Sequence, residues 1–188
     1  MDGPRAVVLV EGTSDQCALE TLARRQGRNL DSEGVAVVPM GGARSIGRFL
    51  DLYGPKGRDV RLAGLCDAGE VGDFRRGLER AGLGRDLTLP DMERLGFFVC
   101  LADLEDELIR SLGPASVAEV VDAQGDLGSF RIFQKQPAQR ARTTSEQLRR
   151  FMGTRSGRKI HYARLLVEAL ELTRVPRPLD LLLSSLTY

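Results

Sequence analysis

The sequence predicts an α/β fold with a mostly parallel, four-stranded sheet flanked by helices and followed by a helical C-terminal region. Short apolar runs alternate with segments of helical periodicity through the first half of the chain. The apolar runs are nearly continuous, which is typical of strands that are buried on both faces. The strand pattern fades after about residue 114. This βαβα order favours parallel strands joined by helical crossovers.

The predicted strands are short and lie far enough apart for a helix to fit between them. The first, Arg-Ala-Val-Val-Leu-Val, is almost wholly apolar and runs directly into Glu11. The third ends at the Cys-Asp pair of residues 66–67, and the fourth contains the apolar run Phe-Phe-Val-Cys. The four predicted strands span residues 5–10, 34–39, 60–66 and 95–101.

Helical segments fill the intervals and dominate the end of the chain. In the first segment, Leu19, Leu22 and Ala23 recur at helical spacing, and a Gly-Gly pair at residues 41–42 opens the second. Further helices are predicted over residues 70–81, 104–112, 143–152, 158–172 and 179–186. We expect an α/β core over residues 1–113 and a helical region over residues 114–188 packed on it, together forming a single compact domain.

Charge is balanced overall and uneven along the chain. The net charge is +1 over 188 residues, so bulk charge predicts no partner. Residues 86–130 hold ten acidic and two basic residues, whereas residues 131–164 hold ten basic residues and one acidic residue, Glu146. This asymmetry favours metal binding in one region and phosphate binding in another. The alternative is two solvated faces of opposite sign.

Several classes of protein are disfavoured by composition. The three cysteines are far apart and form no CxxC pair, which argues against a zinc site. There is no apolar run of about 18 residues, so we expect no membrane span. The N-terminus lacks a signal-peptide pattern, and we expect a cytoplasmic protein. Aromatic residues make up 5% of the chain and include no tryptophan, which disfavours a base-stacking platform.

Acidic residues follow three of the four predicted strands. Glu11 follows the first strand, with Asp15 one helical turn later; Asp67 ends the third, and Asp103 and Glu105 follow the fourth. Ligands bind at the carboxyl edge of open parallel sheets. Carboxylates without histidine or cysteine beside them suit Mg²⁺ or Mn²⁺. The alternative is that these acids are separate helix caps that never converge.

These motifs together resemble a known family. The Val-Glu-Gly of residues 10–12, Asp15 early in a helix and a strand that ends in Asp67 resemble the Toprim domain of topoisomerases, primases and related nucleases. The Asp-Leu-Glu of residues 103–105 and a Gly-Arg-Lys that opens a late helix at residues 157–159 are most similar to the Toprim domain of the OLD (overcoming lysogenisation defect) nucleases. The resemblance extends over most of the chain.

The resemblance implies a two-metal endonuclease that hydrolyses or nicks DNA phosphodiester bonds. Glu11 and Asp67 would hold one Mg²⁺ or Mn²⁺ ion, and Lys159 would stabilise charge at the scissile phosphate, so that Glu11 and Lys159 are the expected catalytic residues. The ligands expected for a second ion are Asp15, Asp103 and Glu105. The nucleic-acid contacts expected from the basic segment are Arg149, Arg150, Arg155, Arg158 and Lys159.

The sequence departs from the family pattern in two respects. The second aspartate of the family's Asp-x-Asp motif is Gly69 here, and Glu70 or Asp73 could take its place as a ligand. OLD proteins carry an ATPase domain before the Toprim domain, but this sequence contains no GxxxxGK[ST] phosphate loop. Two alternatives follow: a catalytically weakened nucleic-acid-binding or regulatory module that works with a separately encoded ATPase, and a Toprim nuclease that processes RNA. DNA is favoured over RNA.

Overall fold

The computed structural model describes residues 3–155 and 157–187. Its centre is a sheet of four strands in the order β2-β1-β3-β4, in which every pair of neighbours is parallel. The strands are β1 (Ala6–Val10), β2 (Val35–Pro39), β3 (Arg61–Asp67) and β4 (Phe97–Cys100). The predicted fold class is therefore confirmed, and each predicted strand is present with its ends shifted by a few residues.

Helices cover both faces of the sheet and form most of the rest of the described chain. The α-helices are α1 (Thr13–Arg25), α2 (Ile46–Tyr53), α3 (Val71–Ala81), α4 (Leu89–Arg94), α5 (Leu104–Leu112), α6 (Pro114–Ala123), α7 (Leu127–Gln134), α8 (Thr144–Met152), α9 (Arg158–Ala169) and α10 (Arg177–Ser185). None of the helices in the described ranges combines the length and apolarity needed to cross a bilayer.

The alternating side chains of β1 divide the interior into two cores. Val7 and Leu9 pack with the apolar faces of α2 and α3, including Phe74. Val8 and Val10 point to the other face, where they share a core with apolar residues of α1 and α9. All the residues of β1 are buried, which explains why its sequence is a continuous apolar run.

The C-terminal helices belong to the second of these cores. α9 lies along α1, and α10 lies against β3 and β4. Arginines of the first half of the chain fix the ends of these helices: Arg25 donates to the carbonyls of Val167 (2.7 Å) and Leu170 (2.5 Å), and Arg28 donates to that of Leu183 (2.6 Å). The division into a core of residues 1–113 and a region of residues 114–188 stays a prediction.

Three of the helices in the described ranges were not predicted. α4 and α6 have Pro in their first turn, and α7 follows Gly125 and contains Gly128. Pro and Gly at these positions are typical of turns and loops. The predicted helix over residues 158–172 ends earlier, at Ala169, and a 3-10 turn follows at Leu172–Arg174.

Candidate metal centre

The site lies at the point in the sheet where the strand order changes direction, between β1 and β3. β1 and β3 are neighbours although β2 comes between them in the sequence. The chain leaves β1 into Glu11 and leaves β3 from Asp67, so both carboxylates reach the same edge of the sheet. In open parallel sheets this switch point forms a crevice at the carboxyl ends of the strands.

Three carboxylates meet at this point. Glu11, Asp67 and Glu70 each offer one oxygen, and these oxygens all lie within 4.8 Å of one another. Glu70 reaches the group because β3 continues into a 3-10 turn at Ala68–Glu70. The Oε2 atom of Glu70 is buried and has no hydrogen-bond partner in the described part of the protein. We call Glu11, Asp67 and Glu70 the first carboxylate group.

Two acids of the first carboxylate group, Asp67 and Glu70, have raised pKa values. Burial, followed by the negative charge of Glu11 and of other nearby acids, raises the pKa of Asp67 to about 8. Burial and the nearby carboxylate of Glu11 raise the pKa of Glu70 to about 7. Because these shifts come from desolvation and like charge, a divalent cation placed among the oxygens would reverse them.

A second set of acids lies beside the first and has partners within the protein. Asp15 accepts a hydrogen bond from the amide of Gly12 (2.8 Å), and its pKa is raised to about 6, mainly by burial. Glu105 is 2% exposed, and its Oε2 lies 3.1 Å from Nζ of Lys159. The other oxygen of Glu105, Oε1, is buried without a hydrogen-bond partner in the described residues.

The pair of Glu105 and Lys159 is asymmetric in exposure. Burial raises the pKa of Glu105 although Lys159 opposes the change. Burial lowers the pKa of Lys159, but the charges of Glu105, Asp103 and Asp15 outweigh it and raise that pKa overall. Lys159 remains 49% exposed, so the cation is stably charged and can still reach a ligand in the cleft.

Asp103 completes the second set and is held from two sides. Its Oδ1 accepts from the amide of Asp106 (2.9 Å) and so caps α5, while its Oδ2 accepts from Nε of Arg149 (2.6 Å). The turn before it is fixed by the buried Glu107, whose Oε1 accepts from the amide of Leu101 (2.8 Å). Asp103 therefore caps α5, as the alternative of separate helix caps predicted, and it also lines the cleft with other acids. We call Asp15, Asp103 and Glu105 the second carboxylate group.

The two groups differ in how closely their oxygens approach. Across the described ranges, Asp15, Asp103 and Glu105 do not form a three-ligand group with the mutual distances of the first carboxylate group. They are nonetheless close enough to influence it, because Asp103 and Asp15 both raise the pKa of Asp67. The structure thus brings the predicted acids together in one place, with tight convergence at Glu11, Asp67 and Glu70.

Two acids of the first group, Glu11 and Asp67, and all three acids of the second group line one cleft of about 550 Å³. Its walls come from the ends of β1, β3 and β4, from the turn after β2, and from the segment that joins α8 to α9. The predicted residues that line it are Glu11, Asp15, Asp67, Asp103, Glu105, Arg155 and Lys159. The turn after β2 is tied to the site because the amides of Gly41 and Gly42 donate to the carbonyl of Glu11 (3.0 and 3.1 Å).

The predicted nucleic-acid contacts are distributed unevenly. Arg155 and Lys159 line the cleft, and Arg150 is exposed on α8. Arg149 is paired with Asp103 and is 40% exposed. Arg158 is a correction, because its guanidinium is buried and stacks on the ring of Phe151 at 4.2 Å from the centroid.

Arg158 is part of a buried cluster that fixes the start of α9. It lies 3.2 Å from Oδ1 of Asp126 and donates to Oγ1 of Thr154 (2.8 Å), while the hydroxyl of Tyr162 donates to Oδ2 of Asp126 (2.9 Å). The sequence did not predict this cluster. The only sequence features that point to it are the apolar residues around Tyr162 and the basic residues before it. The cluster sets the position from which Lys159 enters the cleft.

The first carboxylate group suits a hard divalent cation. Its donors are carboxylate oxygens from three residues, one of them with an unpartnered buried oxygen, and no histidine or cysteine is among them. Mg²⁺ and Mn²⁺ prefer such ligands. The predicted role of Glu70 in place of the missing second aspartate agrees with this geometry, whereas Asp73 forms an ion pair with Arg76.

Comparison with known proteins agrees with the resemblance in the sequence. Residues 4–68 match the family model described as overcoming lysogenization defect protein-like, TOPRIM domain. The C-terminal region of the Xanthomonas campestris pv. campestris OLD protein has the same fold at 21% identity, with a TM-score of 0.76, over 99% of this chain and 96% of that one. The C-terminal region of the Burkholderia pseudomallei OLD protein matches at 18% identity, with a TM-score of 0.76, over 97% of both chains. No curated protein matches the sequence.

Proposed function

We propose that this chain, whose first third matches the OLD-like TOPRIM family and whose fold is that of OLD C-terminal regions, is a metal-dependent endonuclease that hydrolyses DNA phosphodiester bonds. The observation that carries the proposal is the first carboxylate group, in which three acids from two strand ends converge within 4.8 Å. Such a cluster is unfavourable without a cation and favourable with one.

The residues of the cleft divide the work of phosphodiester hydrolysis. Glu11, Asp67 and Glu70 would hold the first Mg²⁺ or Mn²⁺ ion. When bound, a divalent cation polarises a phosphoryl oxygen and lowers the pKa of a coordinated water. Lys159 supplies a fixed positive charge for the phosphate as negative charge builds on it. Glu105 orients that lysine through the contact of 3.1 Å.

A second ion is proposed for Asp15, Asp103 and Glu105, as the family resemblance implies. In this structure Arg149 and Lys159 already neutralise two of these acids. A second ion would have to compete with both side chains, so we expect it to bind more weakly than the first. The entry of a phosphate could draw Lys159 from Glu105 and so make the site available.

DNA is the proposed substrate because the cleft joins a carboxylate centre to exposed basic residues. Arg155 and Lys159 face the cleft, and Arg150 continues the positive surface outward. Contacts of this kind bind the phosphate backbone without reading sequence. The protein is proposed to act in the cytoplasm, and a separately encoded ATPase is a proposed partner by analogy with the OLD family. RNA is the alternative substrate.

The proposal is tested by nicking of supercoiled plasmid with Mg²⁺ or Mn²⁺. The wild-type protein should convert plasmid to the open-circular form, EDTA should stop the reaction, and Glu11→Gln should slow it by about 10³-fold. Glu119→Gln, which removes an exposed acid on α6, is the matched control and should remain active. A parallel assay on RNA decides between the two substrates.

A second candidate function is supported by Gly69, which stands where the family has an aspartate. On this alternative the chain binds nucleic acid or regulates a partner without cleaving. If the protein binds DNA in the presence of Mg²⁺ and of Mn²⁺ but nicks no strand with either ion, the non-catalytic binding function is favoured over the nuclease. Hydrolysis that depends on Glu11 would exclude it.

A further inference from the structure

The segment that joins α7 to α8 carries exposed cations outside the carboxylate cleft. Lys135 and Arg140 are fully on the surface, and Arg142 is partly exposed. The only acid nearby in the sequence, Glu146, accepts from the amide of Thr143 (2.8 Å) and from its hydroxyl (2.9 Å). We call residues 135–143 the basic loop.

The basic loop is held by hydrogen bonds that link three glutamines, two of which are buried. Gln134 Nε2 donates to Oε1 of Gln147 (2.8 Å), and Gln147 Nε2 donates to the carbonyl of Gln139 (2.8 Å). Gln139 and Gln147 are 4% and 7% exposed. Buried polar groups that are hydrogen-bonded in series favour one backbone arrangement. The loop is therefore a fixed platform, unlike most surface loops of this length.

The guanidinium groups of Arg140 and Arg142 in the basic loop are held by hydrogen bonds before any ligand binds. Arg140 donates through Nε to the carbonyl of Lys135 (3.0 Å), and Arg142 donates through Nε to the carbonyl of Ala138 (3.2 Å). No described carboxylate lies within ion-pair distance of either guanidinium. Each head thus keeps its terminal amines for an external anion, and the guanidinium fork matches a phosphate.

The basic loop and the cleft lie at opposite ends of α8. The helix has nine residues, so its length is about 13 Å. Its N-terminus follows the loop, and its C-terminus leads to Gly153 and Arg155 in the cleft wall. Arg150 is exposed in the last turn of the helix, towards the cleft. Exposed cations therefore lie at both ends of α8.

We propose that the basic loop is an exosite for the sugar–phosphate backbone of duplex DNA, contacting phosphates on the order of four base pairs from the cleaved bond. The distance follows from the helix length of about 13 Å and a rise of about 3.4 Å per base pair. The inference rests on the proposed nuclease function, since it identifies duplex DNA as the form that the cleft receives. A rigid loop with fixed arginines suits the regular spacing of duplex phosphates.

The direct test compares binding of a 20-base-pair duplex by the wild-type protein and by the double variant Arg140→Ala/Arg142→Ala. Binding is followed by fluorescence anisotropy in Ca²⁺ across a salt series. Two lost phosphate contacts should reduce the slope of log K against log salt by roughly 2 and weaken binding about tenfold at low salt. The matched control is Arg75→Ala/Arg85→Ala, which removes the same charge from exposed positions on and after α3 and should bind as wild type does.

A small substrate separates the exosite from the metal centre. Bis(p-nitrophenyl) phosphate is a phosphodiester too short to reach from the cleft to the basic loop. The double variant should hydrolyse it at the wild-type rate, while its KM for duplex DNA rises about tenfold and kcat stays unchanged.

The outcomes are distinguishable. Unchanged affinity and an unchanged salt slope for the double variant would overturn the exosite, even if the wild-type protein cleaves DNA. Equal losses in the Arg75/Arg85 control would also overturn it, because the effect would then be one of net charge. If neither the wild-type protein nor the variants hydrolyse either substrate, the nuclease proposal is refuted. The salt dependence of DNA binding would then still test whether the basic loop contacts DNA.

Discussion

The two carboxylate groups of the cleft share an edge of the sheet and differ in how their charge is compensated. In the first, Glu11, Asp67 and Glu70 lie close together, and burial followed by like charge raises the pKa values of Asp67 and Glu70. In the second, Asp103 is paired with Arg149 and Glu105 with Lys159. Two acids of the second group thus form ion pairs with side chains of the protein, whereas no ion pair among the described residues involves the first group.

This difference separates two tasks that both depend on acids. Internal cations pair with two acids of the second carboxylate group before any ligand arrives, and the contact with Glu105 holds Lys159 at the cleft, where it would face the phosphate of the proposed reaction. The raised pKa values of Asp67 and Glu70 make ionisation of these two carboxyls unfavourable, so we expect their ionisation to be coupled to metal binding. Metal dependence is therefore expected to reside at Glu11, Asp67 and Glu70, and orientation at the residues around Lys159.

The largest expected effect comes from Glu11→Gln. Loss of a ligand to the first ion should remove several kcal/mol of transition-state stabilisation, which corresponds to a fall of about 10³-fold in nicking rate. The rise in Tm that Mn²⁺ gives the wild-type protein should disappear as well, because the ion no longer binds the folded state tightly. Nicking assays and thermal melts measure both. A variant that still nicks at the wild-type rate would contradict the assignment of the first group as the metal centre.

Lys159→Ala should slow cleavage by on the order of 10²-fold, because a fixed charge at the phosphate is lost. The stabilisation by Mn²⁺ should remain, which separates this variant from Glu11→Gln. Arg164→Ala, which removes an exposed cation from the same helix, is the control and should leave the rate unchanged. If Lys159→Ala cleaves normally, the internal cation serves only to neutralise Glu105.

Arg149→Ala tests whether an internal cation keeps a metal from the second group. The variant should lose about 1 kcal/mol of stability without metal, because the contact is partly exposed. It should also bind Mn²⁺ more tightly at the second group, since Asp103 is freed. Isothermal titration calorimetry with Mn²⁺ measures this change. Identical isotherms for variant and wild type would indicate that Asp103 is not a ligand.

The pH dependence of stability should show the smallest effect. Between pH 5 and pH 8 the carboxyls of Asp67 and Glu70 are ionised in the unfolded chain, whereas their folded pKa values of about 8 and about 7 keep them partly protonated. The unfolded state then binds fewer protons, so the free energy of unfolding should fall as pH rises through this window. After discounting for solvent screening we expect a fall on the order of 1 kcal/mol.

Chemical denaturation at pH 5 and pH 8, without metal, measures this fall. Asp67→Asn should flatten the dependence, and saturating Mn²⁺ should reverse it because metal binding requires ionised ligands. A metal-free protein that gains stability from pH 5 to pH 8 would show that the first group is not strained by like charge.

Local sequence patterns predicted most of the fold. Strand β1 was recognisable because residues buried on both faces must all be apolar, and α5 because its apolar residues recur with helical period. α6 and α7 were missed because α6 begins at a Gly-Pro pair and α7 follows Gly125, which are typical of loops, and both helices are stabilised by packing of residues such as Val121 and Phe130 in the core. The candidate acids were identifiable because each follows a strand end.

The sequence by itself determined which acids reach the carboxyl edge of the sheet and that Lys159 lies at the start of a late helix. Only the tertiary structure decided how they are grouped. That β1 and β3 are neighbours brings Glu11 to Asp67 and Glu70, and the packing of α8 brings Arg149 to Asp103. The burial of Arg158 could not be predicted, because a charged residue is buried only where a distant partner such as Asp126 meets it. Sequence spacing determines on which side of its own helix or strand a residue lies, whereas the distance between residues far apart in the sequence depends on how the helices and strands pack.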